Sequence, residues 1–168
     1  MVILLFLAGT VLYAQAAPVM PALQSYWLVV HVTTVCLSSG MLLVGGVASL
    51  LYLARRAGWA SRLPEADVLD RVAYRVTIVA FPVYTFAVIA GAIWAEAAWG
   101  RFWGWDPKET VAFVAWVVYA AYLHARTTAG WRGRPAAWVN VVGLIVMIFN
   151  LTFVNMVSTG LHSYAGLN

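Results

Sequence analysis

Residues 27–53 read WLVVHVTTVCLSSGMLLVGGVASLLYL, a run with no Asp, Glu, Lys or Arg. About 20 apolar residues cross a bilayer core of ~30 Å as a helix, so this stretch predicts a membrane span. The whole chain fits that solvent. Of its 168 residues, 64% are hydrophobic and 10% charged, whereas soluble domains average roughly 45–50% apolar and about 25% charged. Outward from this run, hydropathy marks four further candidate spans, at 1–16, 73–95, 109–126 and 136–161. The expected fold is all-α: a polytopic membrane bundle of about five transmembrane helices, forming one domain over 1–168. The first span is short and ends LYAQAAP. Its Ala-Gln-Ala resembles a signal-peptidase site, but no basic segment follows Met1, and a first helix is the preferred reading. The length points to the C-terminal part of a longer protein, or to a short form.

Charge sets the orientation. Arg55, Arg56, Arg62, Arg71 and Arg75 crowd 54–75, and Arg126, Arg132 and Arg134 crowd the next loop on the same side. The opposite loops carry only Arg101 and Lys108. The positive-inside rule places the Arg-rich loops in the cytoplasm and 94–110 outside. The net charge of +4 is then a topology signal, and nucleic acid is excluded as a partner. Cys36, expected to be a small buried residue, is the sole cysteine and excludes a CxxC motif.

The external loop is unusual. WGRFWGWDPKET, residues 99–110, packs three tryptophans and a phenylalanine ahead of Asp106, Lys108 and Glu109. His31 lies ~6 Å below the outer boundary and His162 at the outer end of the last span, while His124 lies ~27 Å from Asp106 at 1.5 Å per residue. Two polar stripes recur at helical spacing: Trp27, His31, Thr34 and Ser38, then Thr152, Asn155, Thr159 and His162. Polar groups in a membrane normally face protein or a cavity, although helix-packing glue explains the Ser and Thr residues equally well. Gly45 with Ser49, and Ala87, Gly91 and Ala95, permit close helix contact.

Two outer histidines beside an aromatic slab suit few ligands. Zinc wants three or four ligands, and no Cys or carboxylate cluster stands with them. Haem iron needs only two protein ligands, because the porphyrin supplies four nitrogens. Trp94, Trp99, Phe102, Trp103 and Trp105 could cover a porphyrin, and Arg101 or Lys108 could meet a propionate. An interfacial tryptophan belt with structural histidines remains the competing reading. Asp106 before Pro107 also reads as a helix N-cap.

The stretch GAIWAEAAWGRFWGWDPKET, with LQSYWLVVHV, YLHAR and STGLHSYAG in order, closely resembles the tryptophan-rich WWD signature and histidine segments of CcsA/ResC-type cytochrome c biogenesis proteins. The resemblance runs from about residue 20 to the end. It implies haem b at an external WWD loop (about 94–110) with His31 and His162 as axial ligands. It also implies a part for His124 in haem passage from the cytoplasmic side. It further implies a CcsB/ResB-type membrane partner, apocytochrome c as the recipient, and membership of a cytochrome c synthase that forms thioether bonds at a CxxCH motif. Thiol-reducing proteins are further possible partners. A bacterial inner membrane, with the WWD loop periplasmic, is the implied location. Glu96 stands where the family pattern has Asn, and Val111 where it has Trp. Two alternatives stay open: a haem-export or haem-chaperone subunit of a related maturation system, and a structural membrane subunit without cofactor.

Overall fold

The computed structural model describes residues 6, 10, 21–59, 62–156 and 160–162. All regular structure there is helical: a 3-10 turn at Pro21–Gln24, then α1 (Tyr26–Arg56), α2 (Ala66–Trp99), α3 (Pro107–Thr127), α4 (Arg134–Leu151) and the short α5 (Phe153–Met156). The expected span at 1–16 lies outside the described residues apart from Phe6 and Thr10, both helical.

Local chemistry sets the ends. Ser25 caps α1 by accepting from the Trp27 amide, and Arg55 and Arg56 sit in the last turn, favourably placed for the helix dipole. Gly100 ends α2 at φ 71°, a left-handed conformation that costs glycine nothing. Pro107 opens α3, and Asp106 with Glu109 forms a full capping box.

Among the described residues, three helical segments are long and apolar enough to cross a membrane: Tyr26–Arg56, Ala66–Trp99 and Arg134–Met156. The 21-residue α3 packs against α2 and α4 but is less apolar, since it carries Lys108, Glu109, His124 and Arg126. The core is built around Leu42, Ala80, Tyr84, Ala115, Tyr119 and Met147. Large apolar side chains such as Leu37, Val47, Val79, Ile89 and Ile145 face outward, as a lipid solvent permits.

The small residues perform as their spacing predicts. Ala87 and Ala95 are buried, and a Cβ at Gly45 would sit 2.7 Å from Thr77 Oγ1, so α1 and α2 touch there nearly backbone to backbone. Asn140 crosses between helices, donating to the Gly45 carbonyl (3.2 Å) and Ser49 Oγ (2.9 Å).

Two expectations need correction. Cys36 is exposed rather than buried, because it lines an open cavity beside Val32, Val35 and Ser39 of the same helix. The last span is also interrupted: α4 ends at Leu151 and α5 resumes at Phe153, with Thr152 distorted between them (φ −108°, ψ −76°). There Thr152 Oγ1 donates to the Ile148 carbonyl and Asn155 Nδ2 to the Leu151 carbonyl, the local competition that bends helices at such residues. His162 therefore sits on a turn at 160–162, and Thr159 lies outside the described residues.

Candidate functional site

A cavity of about 510 Å³ opens where α1, α2, α3 and the turn at 160–162 converge; His31, His162, Trp94, Trp103, Lys108 and Phe102 line it. Its size and apolar, aromatic walls are those of a small-molecule site.

His31 is seated on α2. Its Nδ1 lies 2.9 Å from the Ala87 carbonyl, so the neutral ring donates from Nδ1. A Cβ at Gly91 would fall 2.7 Å from the His31 ring, so that glycine makes room for the imidazole. Trp94, only 2% exposed, stacks on His31 at 6.1 Å between centroids with planes 8° apart. Trp94 also meets His162 edge-on at 5.8 Å, and Trp99 meets the same imidazole at 5.1 Å.

His162 is held by Asp106. The carboxylate is 7% exposed and accepts from the Lys108 amide (2.9 Å), the Leu161 amide (2.8 Å) and His162 Nδ1 (3.0 Å). One side chain thus caps α3, catches a segment 55 residues away and orients an imidazole. Gly160 is needed for that approach, since a Cβ there would collide with Asp106 Oδ2. Burial lowers the His162 pKa from its ordinary value, against the opposing pull of Asp106.

Both histidines therefore have Nδ1 committed to an oxygen, and among the described residues neither Nε2 makes a hydrogen bond. That is the arrangement of metal-ligating imidazoles, whose outer nitrogen donates to a carboxylate or backbone carbonyl while the inner one keeps its lone pair. In the same wall, Ser39 Oγ and Asn150 Oδ1 are buried without a partner among the described residues. Lys108 Nζ reaches in from the first turn of α3, donating to the Asn150 carbonyl and to Asn155 Oδ1. An apolar planar group with a polar rim and two open axial positions fits this donor set; a zinc ion does not, because among the described residues no group of three or more His, Cys, Asp or Glu converges.

The other sequence candidates divide. Trp99 packs behind His162. Trp105 is 66% exposed, with its ring edge-on to Trp103 and Phe113 rather than in the cavity. Its φ of 57° is uncommon for a bulky residue. Arg101 is exposed and covers Gly104 instead of reaching the cavity. His124 is exposed at the far end of α3, beside Thr128 Oγ1 at 3.5 Å. Thr34 and Ser38 return their hydroxyls to carbonyls of their own helix, so the packing reading holds for them. Sequence reasoning missed Gly91 as the seat of His31, and the Asn150, Asn155 and Lys108 cluster; the polar stripe on the last span was the available signal for the second.

These helices and this cavity define a multi-pass helical membrane protein with a two-histidine pocket near one end. The chain belongs to the cytochrome c assembly protein family, whose family model matches residues 1–162. It is 42% identical to the cytochrome c biogenesis protein CcsA of Chlamydomonas reinhardtii, over 92% of this chain and 45% of that protein. It is likewise 42% identical to CcsA of Synechococcus sp. (strain CC9902), over 89% of this chain and 59% of the relative. CcsA of Guillardia theta is 38% identical over 92% of this chain and 59% of its own length. The chain thus spans about half the length of the curated relatives it matches.

Proposed function

We propose that this chain takes part in cytochrome c maturation by holding haem b between His31 and His162 and presenting it to apocytochrome c, together with a CcsB/ResB-type membrane partner. The observation that carries the proposal is the pair of imidazoles sharing one aromatic cavity, each fixed through Nδ1 and, among the described residues, unbonded at Nε2. His31 and His162 would serve as axial ligands. Trp94, Phe102 and Trp103 would exclude water, and Lys108 is placed to meet a carboxylate at the rim. The bound group supplies vinyl carbons, to which each thiol S–H of a CxxCH motif adds across a double bond without net oxidation. The protein contributes positioning and redox protection rather than a general base, since Asp106 and Glu109 are both engaged in capping. Co-expression with the partner and an apocytochrome should give cytochrome c that stains for covalent haem. A chain that is inserted and haem-loaded but yields none would overturn the presenting role.

In the same reading α3 is a further crossing, its 21 residues giving roughly 31 Å at 1.5 Å per residue. The WWD loop then faces the periplasm of a bacterial inner membrane. A membrane-impermeant thiol reagent should label Gly104→Cys in a Cys36→Ala background from the periplasmic side. Labelling only after the membrane is opened reverses the orientation.

His124, at the opposite end of α3, is assigned to haem passage rather than to ligation. His124→Ala should lower the amount of co-purifying haem while leaving the remainder with a bis-histidine spectrum. Full occupancy with one axial ligand lost would place His124 at the iron. Full occupancy with an unchanged spectrum would make it a histidine that merely reaches for the interface.

A further inference from the structure

The Arg-rich end of the bundle is more than a topology signal. A second cavity, of about 740 Å³, lies among the end of α1, the start of α2, the end of α3 and the loop into α4. Arg56, Arg71, Arg75, Arg126 and Arg132 line it. Asp67 and Asp70 are the acidic residues of the wall, leaving an excess of three positive charges. Arg126 is fixed: its side chain is 8% exposed, bonds to Asp70 at 2.7 Å, and lies 4.7 Å from the Tyr74 ring centroid. Among the described residues, no acceptor pairs with the guanidinium groups of Arg56, Arg71, Arg75 or Arg132. Gly133, at φ 73°, brings the loop onto the Tyr52 hydroxyl, so close that a Cβ would stand 2.9 Å from that oxygen. The four unpaired forks therefore face a preformed space, and such forks match phosphate oxygens in charge and in bidentate geometry.

The surroundings indicate where the phosphate comes from. Trp59, Trp131 and Trp138 are exposed at this end, as in an interfacial aromatic belt. The 31 residues of α1 span roughly 46 Å, which carries Arg56 past a ~30 Å hydrocarbon core to headgroup depth. Val68 and Val72, exposed on α2, offer apolar surface beside the arginines. We infer that this cavity is a binding site for the phosphate headgroup of an anionic membrane lipid. Basic pockets between transmembrane helices take such headgroups elsewhere.

The test is native mass spectrometry of the full chain, delipidated in detergent and titrated with phosphatidylglycerol or phosphatidylcholine. One phosphatidylglycerol should be retained about tenfold more tightly than phosphatidylcholine. The double change Arg71→Gln with Arg75→Gln should weaken it roughly 25-fold, at about fivefold per arginine near a membrane surface. Arg62→Gln, outside the cavity, should leave it unchanged. If the double variant fails to insert, Arg132→Gln in the loop is the substitute, with a roughly fivefold loss expected. Equal retention of the two lipids, or equal loss in Arg62→Gln, overturns the assignment. Inorganic phosphate that displaces the lipid completely at millimolar concentration would assign the cavity to a soluble anion and overturn the lipid source.

Discussion

Asp106→Asn should lower haem retention by about 10- to 100-fold while leaving the helices in place. Asparagine is as good an N-cap as aspartate, so the start of α3 survives the change. What is lost is the charged acceptor for His162 Nδ1, 3.0 Å away. A charge-assisted hydrogen bond is roughly twice as strong as a neutral one, and outer partners of metal ligands are typically worth 10–100-fold in affinity. Asp106→Ala should add about 1 kcal/mol of destabilisation, because it removes the cap as well. Circular dichroism and haem content, measured on the same preparations, separate the two roles. Unchanged haem content in a folded Asp106→Asn protein would show that the carboxylate's charge does not serve His162.

Replacing either outer histidine with Gly should open one axial position, and imidazole added to the buffer should refill it. Haem retention and cytochrome c maturation should then recover together in both His31→Gly and His162→Gly. Trp103→Ala should weaken haem binding without rescue, by roughly 1.5–3 kcal/mol, the worth of one large buried apolar side chain; a small ligand does not replace a wall of the cavity. If imidazole restores neither histidine variant while both remain folded and inserted, the histidines are structural residues in an aromatic interface.

Much of this design is written locally. The runs at 27–53 and 73–95 predict helices that extend to Tyr26–Arg56 and Ala66–Trp99 in the structure, because capping and charged residues prolong a helix beyond its apolar part. WDPKE spells its own cap, with Asp106, Pro107 and Glu109 in the positions a capping box needs. Counting residues along a helix places His31 on α1, whereas His162 sits on a turn at 160–162 that no helical count reaches. What periodicity could not supply were the long-range meetings. Asp106 and His162 are 56 residues apart, as are His31 and the Ala87 carbonyl, and no spacing rule announces either contact. Sequence reasoning set Trp105 and Arg101 against a porphyrin, but neither lines the cavity in the structure. A loop fixed by Glu109, which accepts from the Gly104 and Asp106 amides, sends both outward. Arginines read as a charge count likewise give an expected orientation but not the cavity they enclose.

The absorption spectrum of the purified chain, oxidised and then reduced, tests the central claim most directly. Two neutral imidazoles on one iron give a six-coordinate, low-spin spectrum. The wild-type chain should show that spectrum, and His31→Gly and His162→Gly should each lose it until imidazole is added. Haem bound with a five-coordinate, high-spin spectrum in the wild type, or a folded chain that retains no haem at all, would contradict the two-histidine site.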